Sequence, residues 1–140
     1  MIRRYEKTDL IGVVQLLERN KHKTVHADEY CCARDLSEQL ENLMDLDNAI
    51  VLVSQNSKGT ITGIMVAVVW HQIWNKAYII ARDLLFVSEG RGRDMLRYYT
   101  NWAKSKGATK IMTHCSSGNT RTEQFYSSLG AKRLGSLWEI

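Results

Sequence analysis

Two stretches of this 140-residue chain carry residue types that could do chemistry together. The first is Ser88-Glu89-Gly90-Arg91-Gly92-Arg93, where an apolar run ending at Val87 gives way to a helical pattern. Free N–H groups and the helix dipole at such a start favour an anion. Gly90 and Gly92 let the backbone approach it closely, and the guanidinium groups of Arg91 and Arg93 suit a phosphate. Glycine at a strand-to-helix turn also has a purely geometric use, and the spacing alone does not choose between the two. The turn is not a P-loop, because no Gly-Lys-Ser/Thr follows, nor a dinucleotide fingerprint, because the third glycine is missing. The second stretch is Asn119-Thr120-Arg121-Thr122-Glu123-Gln124-Phe125-Tyr126, running into Leu129-Gly130-Ala131. Phe125 and Leu129 are four apart and share one stripe of a helix, which leaves Tyr126 at its flank. A phenol there can hand a proton to a leaving group, or it can simply pack.

The cysteines say less. Cys31, Cys32 and Cys115 are odd in number and contain no Cys-x-x-Cys pair, which points to free thiols in a reducing compartment. Adjacent cysteines on a helix diverge by about 100°, a poor arrangement for one tetrahedral zinc, so no metal site is expected. Cys32 is expected to face the core and Cys31 the surface.

The elements that must position these groups follow from periodicity. Ile2–Tyr5 reads as a short strand. Thr8 or Asp9 caps a helix whose apolar stripe is Leu10, Val13, Val14 and Leu17. A second helix spans about Ala27–Met44, with Cys32, Leu36, Leu40 and Leu43 inward. Ala49–Val53, Ile61–Trp70 and Tyr78–Val87 are strands, joined by turns at residues 56–59 and 71–76. Gly90–Lys106 is a helix with Met95, Tyr99, Trp102 and Ala103 inward. Ile111–Cys115 is a strand, Thr120–Leu129 a helix ended by Gly130, and Leu134–Ile140 a closing strand. The order β-α-α-β-β-β-α-β-α-β requires a mixed sheet. The hairpin-joined strands are antiparallel, the later β-α-β crossover makes two strands parallel, and helices cover both faces.

Composition bounds the rest. Hydrophobic residues are 44% and charged residues 24%, ordinary for a globular chain, and residues 1–140 are expected to form a single domain. The longest apolar run, Ile64–Trp70, is too short to span a membrane. No apolar core follows Arg3 and Arg4, so a cytoplasmic location is expected. The net charge of +4 is too mild to indicate a nucleic-acid partner. Its distribution is uneven: residues 27–47 hold seven acids against Arg34, while residues 88–110 hold six bases against Glu89 and Asp94.

Taken together, the chain resembles a GNAT-type N-acetyltransferase over essentially its whole length, most of all the small bacterial and phage members. The stretch from Asp83-Leu84-Leu85-Phe86-Val87 through Arg91-Gly92 to Trp102-Ala103-Lys104-Ser105-Lys106-Gly107 is similar to the family's acetyl-CoA segment. The run Asn119…Phe125-Tyr126…Leu129-Gly130-Ala131 is similar to its closing motif. Only Ser88 to Arg91 separate Val87 from Gly92, a shorter loop than the family pattern. The resemblance implies a GNAT-like acyl-CoA N-acyltransferase fold and acetyl-CoA as acyl donor, with no metal. Acetyl would pass to a primary amine of an unidentified acceptor by direct attack. It implies that Phe86 and Val87 hold the acetyl and pantetheine end. Gly90, Arg91, Gly92 and Arg93 would hold the pyrophosphate, and Asn119 would touch the pantetheine side. Tyr126 would protonate the departing thiolate. Asp83 matches the acid that often serves as base, and alternation would place it on one strand face with Leu85 and Val87. A salt bridge is the structural alternative for Asp83. The acceptor would lie between the first two helices and the hairpin tip, where Trp70 and Trp74 could stack on it and His71 could take a proton, or all three could merely build the hairpin. The acidic second helix could attract an amine. A homodimer is left open. The other readings are a non-catalytic GNAT-fold module that binds CoA or a macromolecule, and a nucleic-acid-modifying relative.

Overall fold

The hydrophobic pattern of the middle of the chain dictates a sheet with two covered faces, because Ala49–Val53 and Ile64–Val69 are apolar at nearly every position. The computed structural model describes residues 1–24, 26–115, 120–135 and 139–140, and shows that sheet. Strands β1 (Ile2–Arg4), β2 (Ala49–Gln55), β3 (Ile61–Gln72), β4 (Asn75–Ser88) and β5 (Lys110–Met112) lie side by side in chain order. β1 to β4 pair antiparallel, and β5 runs parallel to β4. Helices α1 (Leu10–Asn20) and α2 (Ala33–Met44) precede β2, α3 (Gly92–Ser105) links β4 to β5, and α4 (Thr120–Ser128) follows β5. The closing strand expected over Leu134–Ile140 falls largely on residues 136–138, outside the described residues.

Alternate residues of β2 and β3 feed two cores. Ile50, Leu52, Met65, Ala67 and Val69 meet Met95, Tyr99, Trp102 and Ala103, the four residues of α3 expected inward. Val51, Val53, Ile64 and Val66 meet Val13 and Leu16 of α1 and Leu40 of α2. Gly63 permits the first packing, since a Cβ there would lie 2.8 Å from Met95 Sδ, 2.6 Å from Ser54 Oγ and 3.2 Å from the Val87 carbonyl.

Three expectations need correction. The stripe of α1 is centred on Val13, Leu16 and Asn20, with Val14 only half-buried, because the 3.6-residue period runs 13, 16, 20 rather than through adjacent valines. Helix α2 starts at Ala33, six residues later than expected. Residues 27–30 are polar or exposed and form turns instead, with His26 Nδ1 2.9 Å from Glu29 Oε1. The two adjacent cysteines therefore precede the helix, and both are half-buried. The β3–β4 hairpin is also longer than expected, with only Ile73 and Trp74 at its tip.

Candidate active site

β4 changes partners along its length, and that change builds a gap. It pairs with β5 at Ile80–Lys110, Ala81–Ile111 and Arg82–Met112, and there the parallel ladder stops. Its pairing with β3 continues to Ser88, but with a bulge: Val66 sits opposite Leu85 and Ala67 opposite Asp83, leaving Leu84 extra and 53% exposed. A bulge bends a strand and reverses the alternation beyond it. Asp83 and Ala81 therefore share the α3 face, while Leu85 and Val87 turn to the α1–α2 face with Ile64 and Val66. The expectation that Asp83 shares a face with Leu85 and Val87 is overturned by this one inserted residue.

Backbone groups that leave a sheet need other partners. Residues 112–114 obtain them from side chains. Tyr99 of α3 donates its hydroxyl to the Met112 carbonyl at 2.8 Å. Tyr126 of α4 donates to the His114 carbonyl at 3.1 Å and lies 2.8 Å from Thr113 Oγ1. The His114 amide donates to Asp83 Oδ1 at 3.2 Å. The strand end is thus tied to β4 through the Asp83 side chain instead of its backbone, and to α3 and α4 through Tyr99 and Tyr126.

Burial grades across these groups, from Asp83 and Tyr99 inside, through half-buried Tyr126, to exposed His114. Asp83 is 1% exposed. Burial lifts the Tyr126 phenol to about 12, with the Asp83 charge adding to it and the Thr113 bond opposing it, so it is neutral and carries its proton at pH 7. Burial also lifts Tyr99 above the ordinary phenol range. The His114 Nδ1 atom lies 3.0 Å from Asp83 Oδ2, and the contact with this carboxylate raises the imidazole above its usual value against the effect of burial. The ring N–H is turned off the line, since Oδ2 accepts no well-directed hydrogen bond.

The glycine turn follows directly from the same end of β4. Arg91 caps α3 in the left-handed region (φ 56°), and the first α-helical bond runs from the Met95 amide to the Arg91 carbonyl at 3.1 Å. The amides of Gly92, Arg93 and Asp94 precede that bond, and no side-chain cap serves them. Arg91 pairs with Asp94 (3.0 Å), whereas Arg93 has no ion-pair partner among the described residues. Glu89 lies beside the anion site, but its charge is directed elsewhere. Arg19 holds both of its oxygens (3.0 and 2.9 Å), Asn20 Nδ2 adds a bond at 2.8 Å, and the Arg19 contact holds the carboxyl below the usual range. The Phe86 and Phe125 rings flank Gly92: a Cβ there would lie 3.6 Å from each. Phe86, Val87 and Gly90–Arg93 therefore form one continuous surface from strand to helix, closed on one side by α4. Asn119 lies outside the described residues.

No protein-family model matches the chain, and a search of curated proteins finds no match. Solved structures do match. A mutant of the BH1408 protein from Bacillus halodurans superposes with a TM-score of 0.81 at 16% identity, over 100% of this chain and 98% of that one. Glucosamine-6-phosphate N-acetyltransferase from Arabidopsis thaliana gives 0.79 at 16% identity, over 100% and 96%. AAC(6')-Iy, in complex with the bisubstrate analog CoA-S-monomethyl-acetylneamine, gives 0.74 at 17% identity, over 100% and 95%. The fold is that of the GNAT acetyltransferases.

In this GNAT fold the hairpin residues stand apart from the gap. Trp70 is opposite Ile80, so it lies about 10 Å along β4 from Asp83. Trp74 is 78% exposed at the tip, seven residues beyond Ala67, the β3 partner of Asp83, or about 23 Å away along the strand. His71 Nδ1 is 2.8 Å from the Lys76 carbonyl, a contact that closes the hairpin. Tyr126, Asp83, Phe86, Val87 and Gly90–Arg93 are brought together at one end of β4; Trp70, His71 and Trp74 are not brought there. Sequence reasoning missed His114, Thr113 and the Tyr99 clamp. The signal available was Thr113 and His114 in a strand expected over Ile111–Cys115, which ends at Met112, and a tyrosine on the inward stripe of α3.

Proposed function

We propose that the chain is an acetyl-CoA-dependent N-acetyltransferase acting on a primary amine. One observation carries this reading: the β4–β5 ladder ends at Arg82–Met112, and the freed end of β4 leads within four residues into an uncapped helix start. An extended thioester-bearing arm needs backbone groups along a strand edge, and a pyrophosphate needs helix-terminal amides and cations. Both lie here in that order. The GNAT fold and the CoA-analog complex of a neighbour at 17% identity support the same reading.

In the proposed reaction, Phe86 and Val87 contribute strand backbone to the acyl end, and Gly90–Arg93 hold the diphosphate. The amine nitrogen attacks the thioester carbonyl, the N–C bond forms, and the C–S bond breaks. Tyr126, kept neutral by burial, supplies its proton to the thiolate. Asn119 completes the pantetheine side. Trp70 is the hairpin residue near enough to meet the acceptor, with His71 and Trp74 beyond it.

A second reading has its own support. The Tyr126 hydroxyl is already bonded to His114 and Thr113, as it would be in a module that binds CoA without using it. Native mass spectrometry and titration calorimetry with acetyl-CoA test the common part. Binding weakened by Arg93→Ala and by added salt is expected, and a wild type that binds neither acetyl-CoA nor CoA ends both readings. Acetylation of any amine in a panel of polyamines and lysine peptides then separates enzyme from module.

A further inference from the structure

An amine that attacks a thioester must lose a proton, and the burial pattern at the gap identifies where that proton can go. Asp83 is the acid that strand position would nominate, yet it is 1% exposed and lies on the α3 face of the sheet. It has no open side toward an acceptor. Both of its oxygens face His114, Oδ1 taking the backbone amide at 3.2 Å and Oδ2 lying 3.0 Å from Nδ1. His114 lies over it with 41% of its side chain open to solvent. Nδ1 lies 3.0 Å from the carboxylate without an aligned hydrogen bond; a small turn of the ring lets Oδ2 accept the Nδ1–H, and that tautomer presents the lone pair on Nε2, which has no hydrogen-bond partner among the described residues. We propose that His114 Nε2 is the atom that takes the amine proton, and that Asp83 acts only through His114, as a positioning residue. This rests on the transferase reading above.

The step balances simply. The amine nitrogen bonds to the acetyl carbon, one N–H proton passes to Nε2, and the C–S bond breaks to release the thiolate. Tyr126 protonates the thiolate, His114 gives its proton to solvent, Tyr126 regains one from solvent, and the products are the amide and free CoA. An aspartate behind the imidazole stabilises the charge that appears on the ring in this step. Each neighbouring element bears on the ring or on the backbone that carries it. From β4, Asp83 favours the imidazolium and Arg82 opposes it. From α4, the Tyr126 hydroxyl holds the His114 carbonyl. From α3, Tyr99 ties down Met112 next to Thr113. Cys115 follows in the chain.

The direction of the pH effect follows. His114 is raised above 6.5, so it is a base only above that raised value, and turnover should climb as pH passes through it. Stability runs the opposite way: the contribution of the pair is complete below 6.5 and is lost as pH rises through the folded value.

The test is single-turnover loss of the thioester from bound acetyl-CoA, with benzylamine as nucleophile and, in a parallel run, with water alone. Wild type is expected to show a rate that rises with pH through an apparent pKa above 6.5. His114→Gln should bind acetyl-CoA as wild type does, react ~10²–10⁴-fold more slowly and lose that limb. His114→Ala should be partly restored by added imidazole. Asp83→Asn should move the limb to lower pH. Since Asp83 is buried, its variant is read beside a thermal melt, and His114→Gln at its open position carries the test if Asp83→Asn unfolds. A His114→Gln enzyme with the wild-type rate and pH profile overturns the proposal. So does a wild type that binds acetyl-CoA but consumes it no faster than solution. A wild type that binds no acetyl-CoA overturns the transferase reading itself.

Discussion

The two ends of β4 are built by opposite rules. At the hairpin end, residues 79–83 follow the β3 ladder in register, the pairing then skips residues 76–78 to Asn75, and exposed contacts such as His71 Nδ1 to the Lys76 carbonyl close the tip that carries Ile73 and Trp74. At the other end the ladder with β5 stops, a bulge reverses the side-chain alternation, and buried side chains replace backbone pairing. The tip of the first end is held by backbone pairing and exposed contacts, so losing one of its side chains leaves no buried polar group unpaired. The second is held by specific hydroxyls and a carboxylate, each of which leaves a partner unsatisfied if removed. The lesson is that the sheet is interrupted where backbone groups must be left for something other than the sheet.

The strongest way to break this contrast is to remove the interruption. Deleting Leu84 leaves Leu85 opposite Val66 and Asp83 opposite Ala67, each still on its present face. The hydrophobic pattern survives, so the deletion variant is expected to fold with a melting temperature within a few degrees of wild type. It should nevertheless bind acetyl-CoA much more weakly, because removing the bulge re-aims the strand end that leads into the anion turn. Calorimetry beside a melt decides it. Equal binding would show that the bulge only relieves packing.

Tyr126→Phe comes next. Removing one hydroxyl leaves the His114 carbonyl and Thr113 Oγ1 without their partner, so a stability loss of ~1–3 kcal/mol is expected. If the phenol also protonates the thiolate, transfer should slow by ~10-fold or more while acetyl-CoA binding persists. Free thiols ionise near 8.5, so part of the leaving ability is intrinsic and the rate loss stays below that for the base. Full transfer activity in the Phe variant removes Tyr126 from the mechanism.

The regular end of the molecule was the legible end. Periodicity located nine elements, the inward face of α3 and the mixed topology, because runs such as Ile64–Val69 and the 95–99–102–103 spacing are direct consequences of burial. The glycine turn and Tyr126 were legible as types at a spacing. What failed was parity. Nothing in Asp83-Leu84-Leu85 announces an extra residue, because a bulge is defined by its partner strand, and the alternation rule therefore assigned Asp83 to the wrong face. His114 was invisible for the same reason: its importance comes from Asp83, 31 residues away.

A smaller effect sits in the clamp behind the anion turn. Arg19→Ala should release Glu89, leaving its charge free beside the Gly90–Arg93 turn, and weaken acetyl-CoA binding a few-fold. Glu89 titrates below its usual value near 4.5, so its contribution to stability is present above that value and fades as pH falls through the lower folded one. Melting curves of Glu89→Gln should be flatter than wild type in that acid range and parallel to it above pH 6.

The smallest effect is expected at the tip. Trp74 is 78% exposed, and the β3–β4 pairs on either side are backbone pairs that an alanine preserves. Trp74→Ala should change stability by no more than about 0.5 kcal/mol, as exposed substitutions usually do. Standing about 23 Å along the hairpin from Asp83, it should leave acetyl-CoA affinity and the turnover of a small amine unaltered. Trp70→Ala is the informative partner, since Trp70 lies only about 10 Å from Asp83 and is more covered. A rise in acceptor KM for Trp70→Ala with none for Trp74→Ala would place the acceptor at the inner part of the hairpin. A rise for Trp74→Ala alone would mean that the acceptor is long enough to reach the tip, and the hairpin would then belong to the functional half of the molecule rather than to its scaffold.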